Sequence, residues 1–340
     1  MIKKIILRAD GNSIVGLGHL FRSFALIEMF KDEYECVFLT RQDSLNDIIP
    51  KEYRIDIIPK NISYSEEPHW ISKKYNYNEF IVIADGYAFD SNYQRDFKKF
   101  GFKFIYIDDL ASSGMFADIV INHSLNLSVK DFTAAAEYTK FALGTEYAVM
   151  RPKFIKAAKK VKEIKKIDEV FICFGGVDFY DFTNRALEGV IEIPSIKKIN
   201  IVISSAYSHE DIYSTLKKRK KDVFIYKNIC ENKMIELMNK CQLAIIPSST
   251  ISYEACSVKM LILGGYYVDN QKRINEGLDL NGMIYNVGDF RELKAEDFKQ
   301  KVLEITKENN LSYEKMIKNQ SKMFDGKQKD RFNKLIESIC

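Results

Sequence analysis

Glycine and proline are scarce in this chain, at 16 and 6 of 340 residues. Long flexible linkers, collagen-like repeats and proline-rich segments are thereby excluded. Cysteine occurs six times, at Cys36, Cys173, Cys230, Cys241, Cys256 and Cys340. None forms a CxxC pair or stands at zinc-binding distance in sequence from any of the four histidines. Reduced thiols are expected, several of them acting as small apolar filler. No metal or other cofactor is called for. No apolar run approaches the ~20 residues of a membrane span. The opening MIKKIILRAD lacks the long apolar core and cleavage site of a secretory signal. A cytoplasmic protein is expected. Nor does one sign of charge dominate: 51 basic residues face 47 acidic ones, for a net charge of +4. That balance argues against a nucleic-acid partner. The one basic run, KKRKK at 217–221, lacks interleaved aromatics and is expected to be a solvated face.

What is present is an ordinary globular mixture. Hydrophobic residues make up 46% and aromatics 13%, with 23 Phe, 19 Tyr and a single Trp. The length suggests two domains. Short β-rich runs alternate with amphipathic stretches from end to end. In the first half the runs are Ile5–Leu7, Cys36–Thr40, Phe80–Ala84, Phe104–Ile107 and Ile119–Ile121. A lysine-rich stretch, Lys156–Lys166, follows and is expected to be a solvated connector. Val170–Phe174, Ile199–Ile203, Val223–Tyr226, Leu243–Ile246 and Met260–Leu263 then repeat the pattern, the last preceding Gly264-Gly265. Alternating strands and helices imply parallel sheets with right-handed crossovers. The expected fold is α/β, with two facing Rossmann-like doubly wound domains and the ligand site between them. The expected domains are 1–150 and 166–310, with a helical segment at 311–340. In open α/β sheets, ligands bind beyond the carboxyl ends of strands. Candidate residues are therefore sought there.

Residues 8–22 read RADGNSIVGLGHLFR. A strand ends near Asp10, Gly16-x-Gly18 makes a turn, and a helix starts near His19. Two close glycines permit left-handed backbone and close ligand approach. A helix N-terminus presents unpaired N–H groups to an anion or a polarised sugar. The dinucleotide fingerprint GxGxxG is absent, because position 21 is Phe. His19 reads either as a general base that takes a proton from water near neutral pH or as a cap on its own helix. In the second half, Gly175-Gly176 follow a strand and suit either a phosphate or a tight turn. Ser248, Ser249 and Thr250 open a helix after Leu243–Ile246 and offer donors to a pyrophosphate.

These segments resemble, in order, the motifs of the pseudaminic-acid-pathway UDP-2,4-diacetamido-2,4,6-trideoxy-β-L-altropyranose hydrolases. Those enzymes are related to glycosyltransferases of the B-type two-domain fold. Residues 8–22 resemble R-x-D…IG-x-GH-x-x-R. Asp85-Gly86-Tyr87 with Asp90, YIDDL at 106–110, and Ala117–Asn122 resemble the next three elements. Gly144–Tyr147 with Met150-Arg151-Pro152, then Phe174–Asp178, then Ser248–Glu254 with Asp269–Gln271 complete the series. Spore-coat polysaccharide proteins share part of it. The resemblance covers about residues 5–290. It implies a UDP-sugar substrate, with His19 as the base that activates water for attack on sugar C1 with inversion. It implies that Asp10, Gly16, Gly18, Asp85, Tyr87, Arg151, Asn270 and Gln271 bind the substrate. It implies that Gly175, Gly176, Ser248, Ser249, Thr250 and Glu254 bind the nucleotide, Glu254 holding ribose hydroxyls. Ser248-Ser249 departs from the glycine pair of many relatives. A transferase of the same fold, with a sugar or lipid acceptor in place of water, is the alternative.

Plainer roles stand beside these. A strand-end Asp such as Asp85 often caps the next helix. Asp108 and Asp109 can hold loops. Glu254 can be a surface residue, and Asn270 an Asx turn. His123 lies at a strand end and is a weaker site candidate, while His69 and His209 read as surface residues.

Overall fold

The computed structural model describes residues 4–12, 15–111, 114–217, 221–308 and 310–340. The chain divides into two compact units, Met1–Pro152 with Lys327–Cys340, and Lys153–Gly326.

The first unit is built on β1 (Lys4–Ala9), α1 (Gly18–Phe30), β2 (Glu35–Arg41), β3 (Arg54–Ile58), α2 (Glu67–Lys74), β4 (Phe80–Asp85), α3 (Ser91–Lys99), β5 (Lys103–Ile107), β6 (Ile119–Asn122) and β7 (Lys140–Leu143). Its seven strands run parallel in the order β3-β2-β1-β4-β5-β6-β7. The central strands β1 and β4 are apolar and buried on both faces, as parallel strands covered by helices must be. Tyr93, Phe97, Phe102 and Phe104 pack in the core beneath α3. Such clusters take up part of the chain's 13% aromatic content.

A short α4 (Pro152–Ala157) leads to the second unit. It comprises β8 (Glu169–Ile172), α5 (Phe182–Ile191), β9 (Lys198–Ile203), α6 (Asp211–Lys217), β10 (Asp222–Lys227), α7 (Glu231–Lys240), β11 (Leu243–Pro247), α8 (Thr250–Ser257), β12 (Leu261–Tyr266), α9 (Asp269–Leu280), β13 (Tyr285–Asp289), α10 (Ala295–Thr306) and α11 (Asn310–Met323). Its six parallel strands are ordered β10-β9-β8-β11-β12-β13. Phe174, Phe182, Phe290 and Phe298 form its aromatic centre. The last helix, α12 (Gln328–Glu337), returns to the first unit, where Asn333 donates to Glu33. Residues 311–340 are therefore two elements on two units, separated by a turn at Gly326 with φ +75°.

Both sheets place the first strand of the unit beside the fourth, so the winding reverses between β1 and β4 and again between β8 and β11. Ligands bind at such reversal points in doubly wound sheets. Ala9, the last residue of β1, pairs in register with Asp85, the last residue of β4.

Two local expectations change, and a third falls largely outside the described residues. Gly264 and Gly265 lie inside β12 rather than after a strand. A Cβ on Gly265 would stand 2.5 Å from the Gly288 carbonyl oxygen, so the neighbouring backbone demands glycine. The lysine-rich stretch is not wholly solvated. Lys162 donates to the carbonyls of Met238 and Cys241, and burial lowers its ammonium pKa to about 8. In the basic run at 217–221, Lys218, Arg219 and Lys220 lie outside the described residues.

Candidate active site

The first unit's site grows from the turn between β1 and α1. Gly16 holds φ +78°, a backbone that favours glycine, and its N–H bonds to the Asn12 carbonyl. Ser13 and Ile14 lie outside the described residues. Gly18 begins α1, and open space surrounds the position a Cβ would take. His19 is the second helical residue and is buried.

His19 does not cap its helix through a side-chain bond. Its Nδ1 lies 2.7 Å from Asp85 Oδ1. Asp85 does not cap α3 either, because Asp90 does so, accepting from the N–H groups of Asn92 and Tyr93. Arg22, one turn beyond His19 on α1, completes the group. It donates from Nε to Asp85 Oδ2 at 2.8 Å and from Nη2 to Asp85 Oδ1 at 2.5 Å. It also donates from Nη1 to Asp109 Oδ1 at 2.5 Å and from Nη2 to Asp109 Oδ2 at 2.8 Å. Burial by itself would raise the Asp85 carboxyl, but Arg22 and then His19 overrule it and hold it below the usual carboxylate range. Burial opposes ionisation at Asp109 in the same way, and Arg22 again prevails. The cation paired with both carboxylates beside His19 is the Arg22 guanidinium.

Two groups meet Nδ1: the ionised Asp85 carboxylate, which can only accept, and Arg22 Nη2 at 2.9 Å, which can only donate. Among the described residues no hydrogen bond engages Nε2. His19 borders a small cavity of about 50 Å³, with room for a few waters. Tyr87 meets the imidazole edge to face, with ring centroids 4.7 Å apart. Tyr64, Phe89, Val15 and Asp10 line the rest. A carboxylate at one ring nitrogen and a cavity with room for water beside the ring are what an oriented general base would require.

Asp10 borders the cavity, yet its carboxylate is fully engaged. Arg8 donates to both oxygens at 2.7 Å. Thr40, Ser44 and the Arg41 N–H reach Oδ1, and the Tyr64 hydroxyl reaches Oδ2. Burial opposes the charge, but Arg8 dominates and the Asp10 pKa falls to about 2. Fully buried Arg8 also grips Glu67 through Nε and Nη2, and Arg41 and Tyr93 bind the same carboxylate. Asp10 therefore anchors the floor of the site. The two strand-end aspartates divide their roles. Asp108 holds its loop by accepting from the Leu110 and Ala111 N–H groups and from Asn122, whereas Asp109 pairs with Arg22. His123 is buried, with Nε2 3.8 Å from Asp109. Burial, helped by Arg22, lowers its pKa to about 4 and keeps it neutral. Arg151 lies half-buried directly before α4.

In the second unit, Gly175 (φ +88°) and Gly176 follow β8 with open space at both Cβ positions. Asp178 accepts from the Phe182 and Thr183 N–H groups at the start of α5. Ser248 is fully buried at the end of β11. Ser249 and Thr250 begin α8 and are accessible. Glu254 is buried and not a surface glutamate. Asn270 and Gln271 sit in the first turn of α9, where Gln271 accepts from the Tyr267 N–H.

Comparison with known proteins adds to this geometry. No family model matches the chain. It is 28% identical over 277 residues to the UDP-2,4-diacetamido-2,4,6-trideoxy-β-L-altropyranose hydrolase of Campylobacter jejuni, an alignment covering 79% of this chain and 93% of that one. The chain is a relative of that hydrolase. An uncharacterized protein of Methanocaldococcus jannaschii, MJ1062, is 28% identical over 263 residues, 74% of this chain. There the match spans about half of the longer archaeal protein, 53%. The spore coat polysaccharide biosynthesis protein SpsG of Bacillus subtilis is 23% identical over 274 residues, 77% of each chain. Among solved structures, MurG of Acinetobacter baumannii superposes with a TM-score of 0.67 at 12% identity, covering 99% of both chains. The fold is that of the B-type glycosyltransferases, two parallel-sheet α/β domains.

In this relative of the hydrolase, Arg22 closes the GH-x-x-R element of the sequence but was assigned no role there, and Glu67 was not singled out at all. Arg22 stands three residues after His19, a spacing that places both on one helix face. That spacing and the motif's closing arginine were the available signals. Glu67 begins an unremarkable polar helix, and nothing in the sequence marks it.

Proposed function

We propose that this protein hydrolyses a UDP-linked 2,4-diacetamido-2,4,6-trideoxy sugar to the free sugar and UDP. The observation that carries the reading is the His19–Asp85 pair, beside a cavity at the β1/β4 reversal point. A water in that cavity loses a proton to Nε2 as its oxygen bonds to sugar C1. The bond from C1 to the diphosphate oxygen breaks, the electron pair leaves with UDP, and C1 inverts. Asp85 stabilises the imidazolium as it forms. Tyr87 packs on the base and offers an aromatic surface to the sugar, with Gly16 and Gly18 leaving backbone open to it. Arg151, Asn270 and Gln271 are further substrate contacts in this reading. The diphosphate and ribose fall to Gly175, Gly176, Ser249, Thr250 and Glu254. Similarity to the Campylobacter hydrolase over most of both chains supports the substrate class.

Incubation with the UDP-linked sugar, followed by chromatography for UDP and NMR for the sugar anomer, tests the reading. Release of UDP and inverted free sugar without an added acceptor is expected. The similarity to SpsG and the shared glycosyltransferase fold favour a second reading, transfer of the sugar to a cell-surface polysaccharide or lipid acceptor. UDP release that depends on such an acceptor would replace the first reading with the second.

A further inference from the structure

We propose that Arg22 is a positioning residue that selects the tautomer of His19. The argument is a count of hydrogens. Arg22 Nη2 lies 2.9 Å from His19 Nδ1, close enough to donate to it. Were it to do so, Nδ1 would be the acceptor and the ring proton would sit on Nε2, where it would block base catalysis. Nη2 carries two hydrogens. One goes to Asp85 Oδ1 and the other to Asp109 Oδ2, so none remains for the imidazole. Asp85 Oδ1 then accepts a second proton, the one on His19 Nδ1. The fork geometry of guanidinium is required, since Nε and Nη1 fix the two carboxylates on either side while Nη2 bridges them. Asp109 enters as the group that draws the second Nη2 hydrogen away from the ring.

The charged and titratable groups around the ring come from several elements. Asp85 ends β4, Arg22 is on α1, Asp109 follows β5, and His123 follows β6 and is held neutral by burial. Asp10 borders the same cavity but is engaged by Arg8. Of these, only Asp85 and Arg22 come within hydrogen-bond distance of Nδ1.

The consequence for turnover rests on the reading of His19 as the base, but the tautomer does not. Two-bond nitrogen–proton NMR correlation on ¹⁵N-histidine-labelled protein reads it directly. Only four histidines are present, and His19 is identified by the peak that His19→Gln removes. The wild type is expected to show Nδ1–H. Asp109→Ala returns one Nη2 hydrogen to the ring and is expected to move the proton to Nε2. Arg22→Lys keeps the charge, loses the fork and is expected to give a mixture. With turnover, both variants should lose about 10²-fold or more in kcat with little change in KM. Nε2–H in the wild type, or unchanged Nδ1–H in folded Asp109→Ala, would overturn the proposal. Should Arg22→Lys fail to fold, the wild type and Asp109→Ala decide it. The expected tautomer shift without hydrolysis of any UDP-sugar by the wild type would leave this inference standing and remove the proposed function.

Discussion

The hydroxyl of Ser248 donates to Asn275 Oδ1 at 2.8 Å, so the serine that follows β11 spends its only side-chain proton inside the second unit. Its N–H is also taken, by the Gly265 carbonyl at 2.7 Å. Asn275 in turn donates to Asn286. Of the three hydroxyl residues at this strand end, Ser248 is buried and bonded, whereas Ser249 and Thr250 are partly accessible.

Ser248→Ala should therefore cost stability, about 1–3 kcal/mol, because it leaves Asn275 Oδ1 without its buried donor. UDP affinity should change little. Ser249→Ala should do the reverse, weakening UDP about tenfold with unchanged stability. Urea unfolding and calorimetric titration with UDP separate the two. Equal effects on affinity would remove the distinction.

Asp85→Asn keeps the shape of the carboxylate but can turn an amide N–H toward Nδ1. The imidazole then carries its proton on Nε2. The expected loss is about 10²–10⁴-fold in kcat with KM nearly unchanged. Steady-state UDP release is the measurement, and a loss confined to KM would show that Asp85 binds substrate instead.

Acid should destabilise the fold in two stages. His123 has a folded pKa of about 4 against an ordinary 6.5. Between those values the unfolded chain binds more protons, so stability falls as pH drops through that window, by up to about 3 kcal/mol. Asp10 has a folded pKa of about 2 against 3.8. Its contribution is complete above 3.8 and is lost as pH falls toward 2, and Asp85 and Asp109, also held low, add to the second stage. Urea midpoints from pH 7 to pH 2 should show both stages. His123→Gln should flatten only the first.

Glycine positions make opposite predictions. A Cβ on Gly189 in α5 would meet the Ala295 carbonyl oxygen at 2.3 Å, so Gly189→Ala should cost about 1–3 kcal/mol by forcing α10 away. Gly18 is helical with open space around it, and Gly18→Ala should stabilise the fold by up to about 1 kcal/mol. If substrate approaches that backbone, the same change raises KM. A stabilised Gly18→Ala enzyme with normal KM would show that the glycine serves no ligand.

Glu67 is fully buried between Arg8 and Arg41. Glu67→Gln leaves two buried guanidinium groups short of an anion and should cost about 3–5 kcal/mol. Thermal unfolding should show a large drop in Tm. A drop of only a degree or two would mean that Asp10 alone balances both arginines.

The fold was largely legible because central parallel strands are buried on both faces and read as unbroken apolar runs, such as FIVIA before Asp85. Three strands escaped notice: RIDII in β3, KFAL in β7 and YNVGD in β13. Each lies at the edge of its sheet, where one side is solvated and the apolar run breaks. Likewise the glycine turn, His19 and Asp85 stood out by their place after strands and Arg22 by its motif, whereas the partners of Arg22 and the whole of Glu67's role did not.

By itself, the sequence determined the alternation of strand and helix, and with it two parallel sheets whose loops carry the polar groups at strand ends. Those are consequences of local periodicity and composition. Only the tertiary structure decided which carboxylate meets which cation. His19 and Asp85 are 66 residues apart, and Asp109 lies farther still from Arg22. They meet because the sheet places β4 beside β1 and β5 beside β4. A side chain's charge partner depends on strand order, which no stretch of local sequence encodes.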